Sequence, residues 1–524
     1  MKTERIKLLA AIAGALLFNF VFWHEKMALN TVLYDVFLLV MIFFLYPEAR
    51  RVSTVRWLTL GHLICLAMIL LHNTLLSKIA FMFTLSLVAG FAEYIHRSVW
   101  YAGGTMIMNV FMIPATFFES AMMLKKNNPR KRRRNKILRF AIIPLLLALV
   151  FFIIYAAGNS VFLDLSSRFG ETLGKYFERF FDLVSFPRIM FLLAGLYLTA
   201  WIIFRNKENY FEKKEQRCKD DLVRHRKTKS DRQDDFWYII TTGFMGRLAN
   251  GAMALKNMNT IGLISLVLLN LLLLVINIID VRYIWFGFEY KADLDLYKLI
   301  HEGTDLLIIS ILLAIAVLMI FFQGNLNFYN RNKWLKYGAY LWIVQNVVLV
   351  ISVLLRDYYY INQTGLAYKR IGVLFYLALV LVGLITVFWK IYTKKTAYYL
   401  FRVNAWAVII LLVASTTINW DEFIASYNIK RKDKILMPVD YMLTLSNKAL
   451  PVIDQNIHVL KEQYEKQRKL GFITYPCDDC FKYSVKRNQE LFMKQQSKYT
   501  WLSFNLADAS VKKYYESKEK LTAR

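Results

Sequence analysis

Two groups of charged residues stand against long apolar runs in the C-terminal half of the chain. One holds Arg356, Asp357, Lys369 and Arg370, the last two inside GLAYKRIGVLFYLAL; the other, between 279 and 305, holds Asp280, Arg282, Glu289, Asp293, Asp295, His301 and Glu302. Guanidinium offers a planar fork of donors that suits a carboxylate or a phosphate. Arg356, Lys369 and Arg370 therefore form a candidate anion-binding set, with Asp280 and Glu302 beside it to orient the bases and His301 a further binding candidate. The same charges can instead pair with one another and staple neighbouring helix ends, and the sequence leaves both readings open. His301 opens HEGTD, which is not HExxH. No second histidine sits at the helical spacing a zinc site needs, so no metal site is expected.

A second class of candidates lies inside apolar runs: Asp35, Asn270, Asn277, Gln345 and Asn346. Asn270 and Asn277 are seven apart and hence near one helix face. Buried amides of this kind either bond between helices, at roughly 0.6 kcal/mol each on average, or line a polar path. Asp35, one turn inside its run, is by default a functional or paired group, unless it snorkels to the interface.

The chain has four cysteines, and two form the motif Cys477-Asp478-Asp479-Cys480. In an oxidising compartment such a pair most simply closes a local disulfide. A redox role needs a thiolate, which Asp478 and Asp479 oppose, and zinc needs further ligands where His458 is the only nearby histidine. Walker, dinucleotide-binding, GxSxG and EF-hand patterns are all missing from the sequence, so no cofactor is expected and ATP-driven transport by this chain is disfavoured.

The elements that must position these residues follow from composition. The 524 residues are 57% hydrophobic and 16% aromatic, with a mean hydropathy of +0.35. Apolar residues come in blocks of about twenty, enough to cross a hydrocarbon core about 30 Å thick. The net charge of +29 sits in short runs between those blocks, as membrane orientation produces. The bilayer is the expected partner, and nucleic acid is not.

The expected fold is all-α: a polytopic transmembrane helical bundle of about eleven spans plus a re-entrant element, with a small C-terminal α-helical extracytoplasmic domain. Expected spans are Ile6–Phe22, Leu29–Tyr46, Trp57–Leu71, Leu76–Phe91, Ile137–Ala157, Phe186–Phe204, Ile261–Ile279, Leu306–Phe322, Tyr337–Leu355, Val373–Ile391 and Asn404–Ile418. The first lacks a signal-peptidase pattern and reads as a retained helix. Keeping both the early Lys/Arg clusters and Lys125–Lys136 inside leaves no room for a full crossing between Phe91 and Lys125. That stretch is expected to be re-entrant or interfacial, broken at Gly103, Gly104 and Pro114. Residues 159–185 alternate apolar and charged positions every three or four residues, as an interfacial or bundle-capping helix does. The resulting organisation is 1–204 membrane region, 205–259 cytoplasmic basic linker, 260–419 membrane region and 420–524 outer helical domain, with the N-terminus inside and the C-terminus outside.

The segments LLNLLLLVINIIDVRYIWFGF, HEGTDLLIISILLAIAVLMIFFQGNLNFY, WIVQNVVLVISVLLR and GLAYKRIGV, mainly over residues 261–419, resemble a bacterial multi-pass membrane family known only as a domain of unknown function. The resemblance implies a bacterial inner-membrane protein and supplies no activity. Three functions fit: binding or transport at the outer face of a small solute, an anion being one candidate, or of a lipid headgroup; a non-catalytic envelope scaffold or sensor meeting a protein partner through 420–524; and a membrane enzyme acting on lipid or glycan. No residue is singled out as catalytic.

Overall fold

The computed structural model describes residues 2–93, 96–124, 185–205, 209–224, 254–286, 296–322, 324–470 and 480–522, with scattered residues between 144 and 167. The helices are α1 (Lys2–Phe22), α2 (Leu29–Leu45), α3 (Ser53–Leu71), α4 (Leu75–Glu93), α5 (Val99–Leu124), α6 (Phe186–Ile203), α7 (Tyr210–Gln216), α8 (Ala254–Asp280), α9 (Leu296–Phe321), α10 (Lys333–Thr364), α11 (Tyr368–Thr393) and α12 (Ala397–Thr416). A polar tail adds α13 (Trp420–Lys430), α14 (Val439–Leu443), α15 (Leu450–Gln455), α16 (Ile457–Lys469), α17 (Cys480–Gln496) and α18 (Leu506–Thr522). Among the described residues nine helices are long and apolar enough to cross a membrane, namely α1, α3, α4, α5, α6, α8, α10, α11 and α12. Helix α2 and the Ile309–Phe321 part of α9 are apolar but shorter. The expected span Ile137–Ala157, the basic run after Leu124 and the expected helix over 159–185 fall largely outside the described residues.

The chain divides into two compact units. The first comprises residues 1–96, 101–213 and 498–506. Its α1 and α6 approach closely, for a Cβ on Gly14 would come within 2.4 Å of the Thr199 methyl. In lipid, where apolar burial drives nothing, such close packing is what holds helices together. One end of this unit converges on Tyr46. Its hydroxyl donates to the Ile203 carbonyl at 2.6 Å. The Arg205 guanidinium lies 3.7 Å above its ring and donates to the Ala92 carbonyl, while Lys7 sits 5.8 Å over the same ring. The start of α1 and the ends of α2, α4 and α6 thus meet at one place. At the other end, residues 498–506 of the tail lie on the α1–α2 turn. Leu29 N–H donates to the Phe504 carbonyl at 3.2 Å, and Glu25 accepts from the Thr500 N–H at 3.1 Å and from the Ser503 hydroxyl.

Helix α5 corrects one expectation: it is continuous through Gly103, Gly104 and Pro114 rather than broken. Proline removes one hydrogen bond and leaves the carbonyl four residues earlier without its helical donor. That carbonyl, Val110, accepts instead from the Tyr197 hydroxyl of α6. A neighbouring helix therefore supplies the partner that lipid cannot. Along its length α5 meets the Tyr46 end repeatedly: Ser120 donates to Glu4 at 2.7 Å, Asn109 to Glu93 at 2.6 Å, and Trp201 to the Met106 carbonyl at 2.9 Å.

The second unit comprises residues 97–100, 214–497 and 507–524. Helices α8 to α12 enclose a core that includes Leu266, Ile311, Leu318, Leu349, Leu377 and Val387. At one end the α10–α11 turn receives the tail helices. Gly365 takes a φ of +81°, and a Cβ there would strike the Asn428 side chain at 2.6 Å. The Asn428 amide both accepts from the Leu366 N–H at 2.6 Å and donates to its carbonyl at 2.9 Å, as an added β-strand would.

At the opposite end, part of the expected linker clamps the α11–α12 turn. Leu222 N–H donates to the Lys394 carbonyl at 3.0 Å, Thr396 N–H donates to the Asp220 carbonyl at 2.8 Å, and Arg402 pairs with Asp220 at 2.8 Å. Lys395 bonds Asp221 at 2.5 Å, which pushes its ammonium pKa up. Buried Glu215 gathers the Ser98 N–H at 2.8 Å, the Arg97 N–H at 3.1 Å and the Tyr398 hydroxyl at 2.5 Å. The middle of the linker lies outside the described residues.

Tyr197→Phe should lower the stability of the detergent-solubilised full chain by about 1–3 kcal/mol, because it strands the Val110 carbonyl. Pro114→Ala restores the helical donor, so the same Tyr197→Phe change on that background should cost distinctly less in thermal melts.

Candidate functional site

The polar residues of the second unit form a stripe along the α8–α10 interface. Heptad spacing places Asn270 and Asn277 on one face of α8 and Gly338, Gln345 and Ser352 on the facing side of α10. Gln345 donates to Asn270 at 3.0 Å, Asn270 donates to the Gly338 carbonyl at 3.0 Å, and Asn277 donates to the Gln345 carbonyl at 3.1 Å. Toward the end that carries the tail helices, the Trp285 indole N–H donates to Ser352 at 3.0 Å. There Asp280 and Arg356 form an ion pair at 2.5 Å with little exposure, 5% and 15%. Asn346 turns away and donates to Trp342 in its own helix at 2.8 Å.

The stripe is incompletely satisfied. Asn277 Oδ1, Gln345 Oε1, Asp280 Oδ2 and Arg356 Nε are buried without a hydrogen-bond partner, while Asp357 Oδ2, also bare, lies one turn from Val353 on another face of α10. Three of the four stripe atoms are acceptors.

The three bases proposed from sequence are not equivalent. Arg356 is committed to Asp280. Arg370 serves its own turn, donating to the Thr364 carbonyl at 3.1 Å and to the Gly365 carbonyl, with its guanidinium 4.2 Å over the Tyr360 ring. Lys369 is exposed. His301 and Glu302 lie on α9 and Cys480 opens α17, but the side chains of all three are outside the described residues, as is Cys477. Beside the turn, the Tyr441 hydroxyl accepts from the Tyr368 N–H at 2.9 Å, and burial pushes its phenol pKa up, so it stays protonated and available for hydrogen bonding.

Asp35 is a paired group, in the first unit. It is fully buried, with His62 Nε2 3.0 Å from its Oδ1 and Thr84 Oγ1 2.9 Å from His62 Nδ1. The Thr84 hydroxyl donates to the Ala80 carbonyl at 2.8 Å, so it accepts from Nδ1–H. Sequence reasoning missed His62 and Thr84, although a lone histidine in STVRWLTLGHLICLAMILL is a visible oddity. Its partners lie on two other helices, and nothing local shows them. Among the described residues no three His, Cys, Asp or Glu side chains come together in a way that could hold a metal ion.

If the Asp280–Arg356 pair is a buried charge pair, Asp280→Ala should cost about 3–5 kcal/mol in thermal unfolding by leaving Arg356 uncompensated. Replacing both together, Asp280→Leu with Arg356→Met, should recover most of that loss.

No curated protein and no solved structure matches the chain. A family model for a domain of unknown function, DUF4153, matches residues 11–456, reaching well beyond the 261–419 stretch that carries the sequence resemblance. The match takes in both the Asp35–His62 pair and the α8–α10 stripe, and it ends within the tail helices. The chain is a multi-pass helical protein of the DUF4153 family.

Proposed function

We propose that this chain binds, and lets into the membrane, a small hydrogen-bond-donating solute or cation at the α8–α10 stripe. The observation that carries this reading is the set of four buried polar atoms without partners along the stripe. Each such atom costs about 1–3 kcal/mol if it stays bare, and water, an ion or a ligand is the usual remedy. Because three of the four are acceptors, the occupant must donate or carry positive charge. An anion is the poorer fit: Arg356 is neutralised by Asp280, and Arg370 is spent on backbone carbonyls.

The proposed setting is a bacterial inner membrane crossed about eleven times, with the N-terminus inside and the tail outside. Two observations, one in each unit, support that orientation. In the first, tail residues 498–506 sit at the end opposite the one where Lys7, Tyr46 and Arg205 meet. In the second, the tail helices sit on the α10–α11 turn, opposite the end that carries Lys394, Lys395 and Arg402. Helix α5 is read as lying across the inner end without crossing, since Ser120, Asn109 and Met106 all touch that one end.

Thermal melts of the purified full chain test the binding reading. Sodium, potassium, ammonium or methylammonium should raise the melting temperature by roughly 2 °C or more over a bulky-cation control. Asn277→Leu should abolish the rise while remaining folded. A rise with phosphate or sulfate only, or one that Asn277→Leu leaves intact, would show the reading to be wrong.

A further inference from the structure

A second site lies in the first unit and is independent of the stripe. A cavity of about 300 Å³ runs between α1, α2, α4 and α6, lined among others by Phe18, Phe22, Leu38, Leu85, Phe191 and Ile202. Along α6 the lining extends from Phe191 to Ile202, roughly 16 Å at the helical rise, so the space is elongated. Two polar groups that border it are already engaged: Tyr34 Oη and Thr199 Oγ1 lie 2.8 Å apart, and Thr31 bonds Asn30 at 3.4 Å. A water there would lack the two to four partners it needs, so the natural occupant is apolar.

Two features say which apolar occupant. Met82, 40% exposed on the outer face of α4, also lines the cavity, so the space is continuous with the apolar surface that the helices present to lipid. At its other extreme lies Glu25, the residue that holds Thr500 and Ser503 of the tail. The cavity is thus open sideways to hydrocarbon and carries the tail strap at its polar end. We infer that it takes a single acyl chain, inserted from the bilayer with its polar end toward the α1–α2 turn and residues 498–506. Free fatty acid and intact phospholipid share this chemistry.

Photo-crosslinking tests the assignment on the full chain in phosphatidylcholine nanodiscs, doped in separate arms with a diazirine-bearing phospholipid or a diazirine-bearing free fatty acid. Peptide mapping should find label on Phe18, Phe22 and Leu85 at least as strong as on Val40, an outward residue of α2 that reports ordinary lipid contact. Leu85→Trp fills the cavity and should cut the lining label about tenfold while leaving Val40 labelling unchanged. Leu38→Ala enlarges the cavity and should keep or raise the lining label, which covers the case of a tryptophan variant that fails to fold. Label in the phospholipid arm identifies a bilayer lipid as the source, and label in the fatty-acid arm alone identifies a free acid. Lining label far below Val40 in both arms, or lining label indifferent to a folded Leu85→Trp chain, would overturn the inference.

Discussion

Everything in this molecule depends on one constraint: a polar atom placed among membrane-spanning helices must find its partner inside the protein. Water is missing there, and an unmet backbone or side-chain group costs free energy comparable to a lost hydrogen bond in an apolar medium. The constraint explains why α5 stays whole through Pro114, since Tyr197 takes up the carbonyl that proline strands. It explains why Asp35 and His62 occur together, each fully buried and 3.0 Å apart. It also explains why Tyr46 sits where it does, with its hydroxyl on Ile203 and two cations over its ring.

The α8–α10 stripe is where the constraint is only half met. Asn270, Asn277 and Gln345 link the two helices by side-chain and carbonyl bonds, as glue residues do. Yet the same side chains leave Asn277 Oδ1 and Gln345 Oε1 bare, and Asp280 and Arg356 continue the bare atoms toward the tail end. A purely bracing network would close on itself. One that stays open along a line of acceptors is better explained by something that enters and leaves.

Much of the architecture was legible in the sequence because lipid imposes long apolar runs, and those runs have only one backbone solution. Spans such as Tyr337–Leu355 and Val373–Ile391 are the middles of α10 and α11, which run on at both ends, by nine residues past Leu355 and by two past Ile391, because polar residues continue the helix past the hydrocarbon. The fate of Pro114 was not legible, because the rescue comes from Tyr197, far away in sequence. The same holds for Asp35: an acid in an apolar run announces itself, but its partner on α3 is fixed only by helix packing. At the candidate site the residue types were visible and their commitments were not. Arg370 reads as a free base beside a membrane boundary, whereas its guanidinium caps the carbonyl end of α10. Local pattern cannot distinguish those two fates, because the deciding atoms are backbone carbonyls exposed by a turn at Gly365.

The account stands or falls on whether the stripe is wet. Ser352 is fully buried toward its tail-bearing end and faces the Trp285 indole. Introduced as a lone cysteine at that position, in a chain whose Cys65, Cys218, Cys477 and Cys480 are replaced, it can be probed with a small membrane-impermeant cationic thiol reagent added from the tail side. The account predicts that Ser352→Cys reacts, and does so much faster than Val353→Cys one residue along, which is equally buried but faces the apolar core. Equal inertness at both positions would mean that the stripe is dry bracing between two helices, and the proposed binding role would go with it.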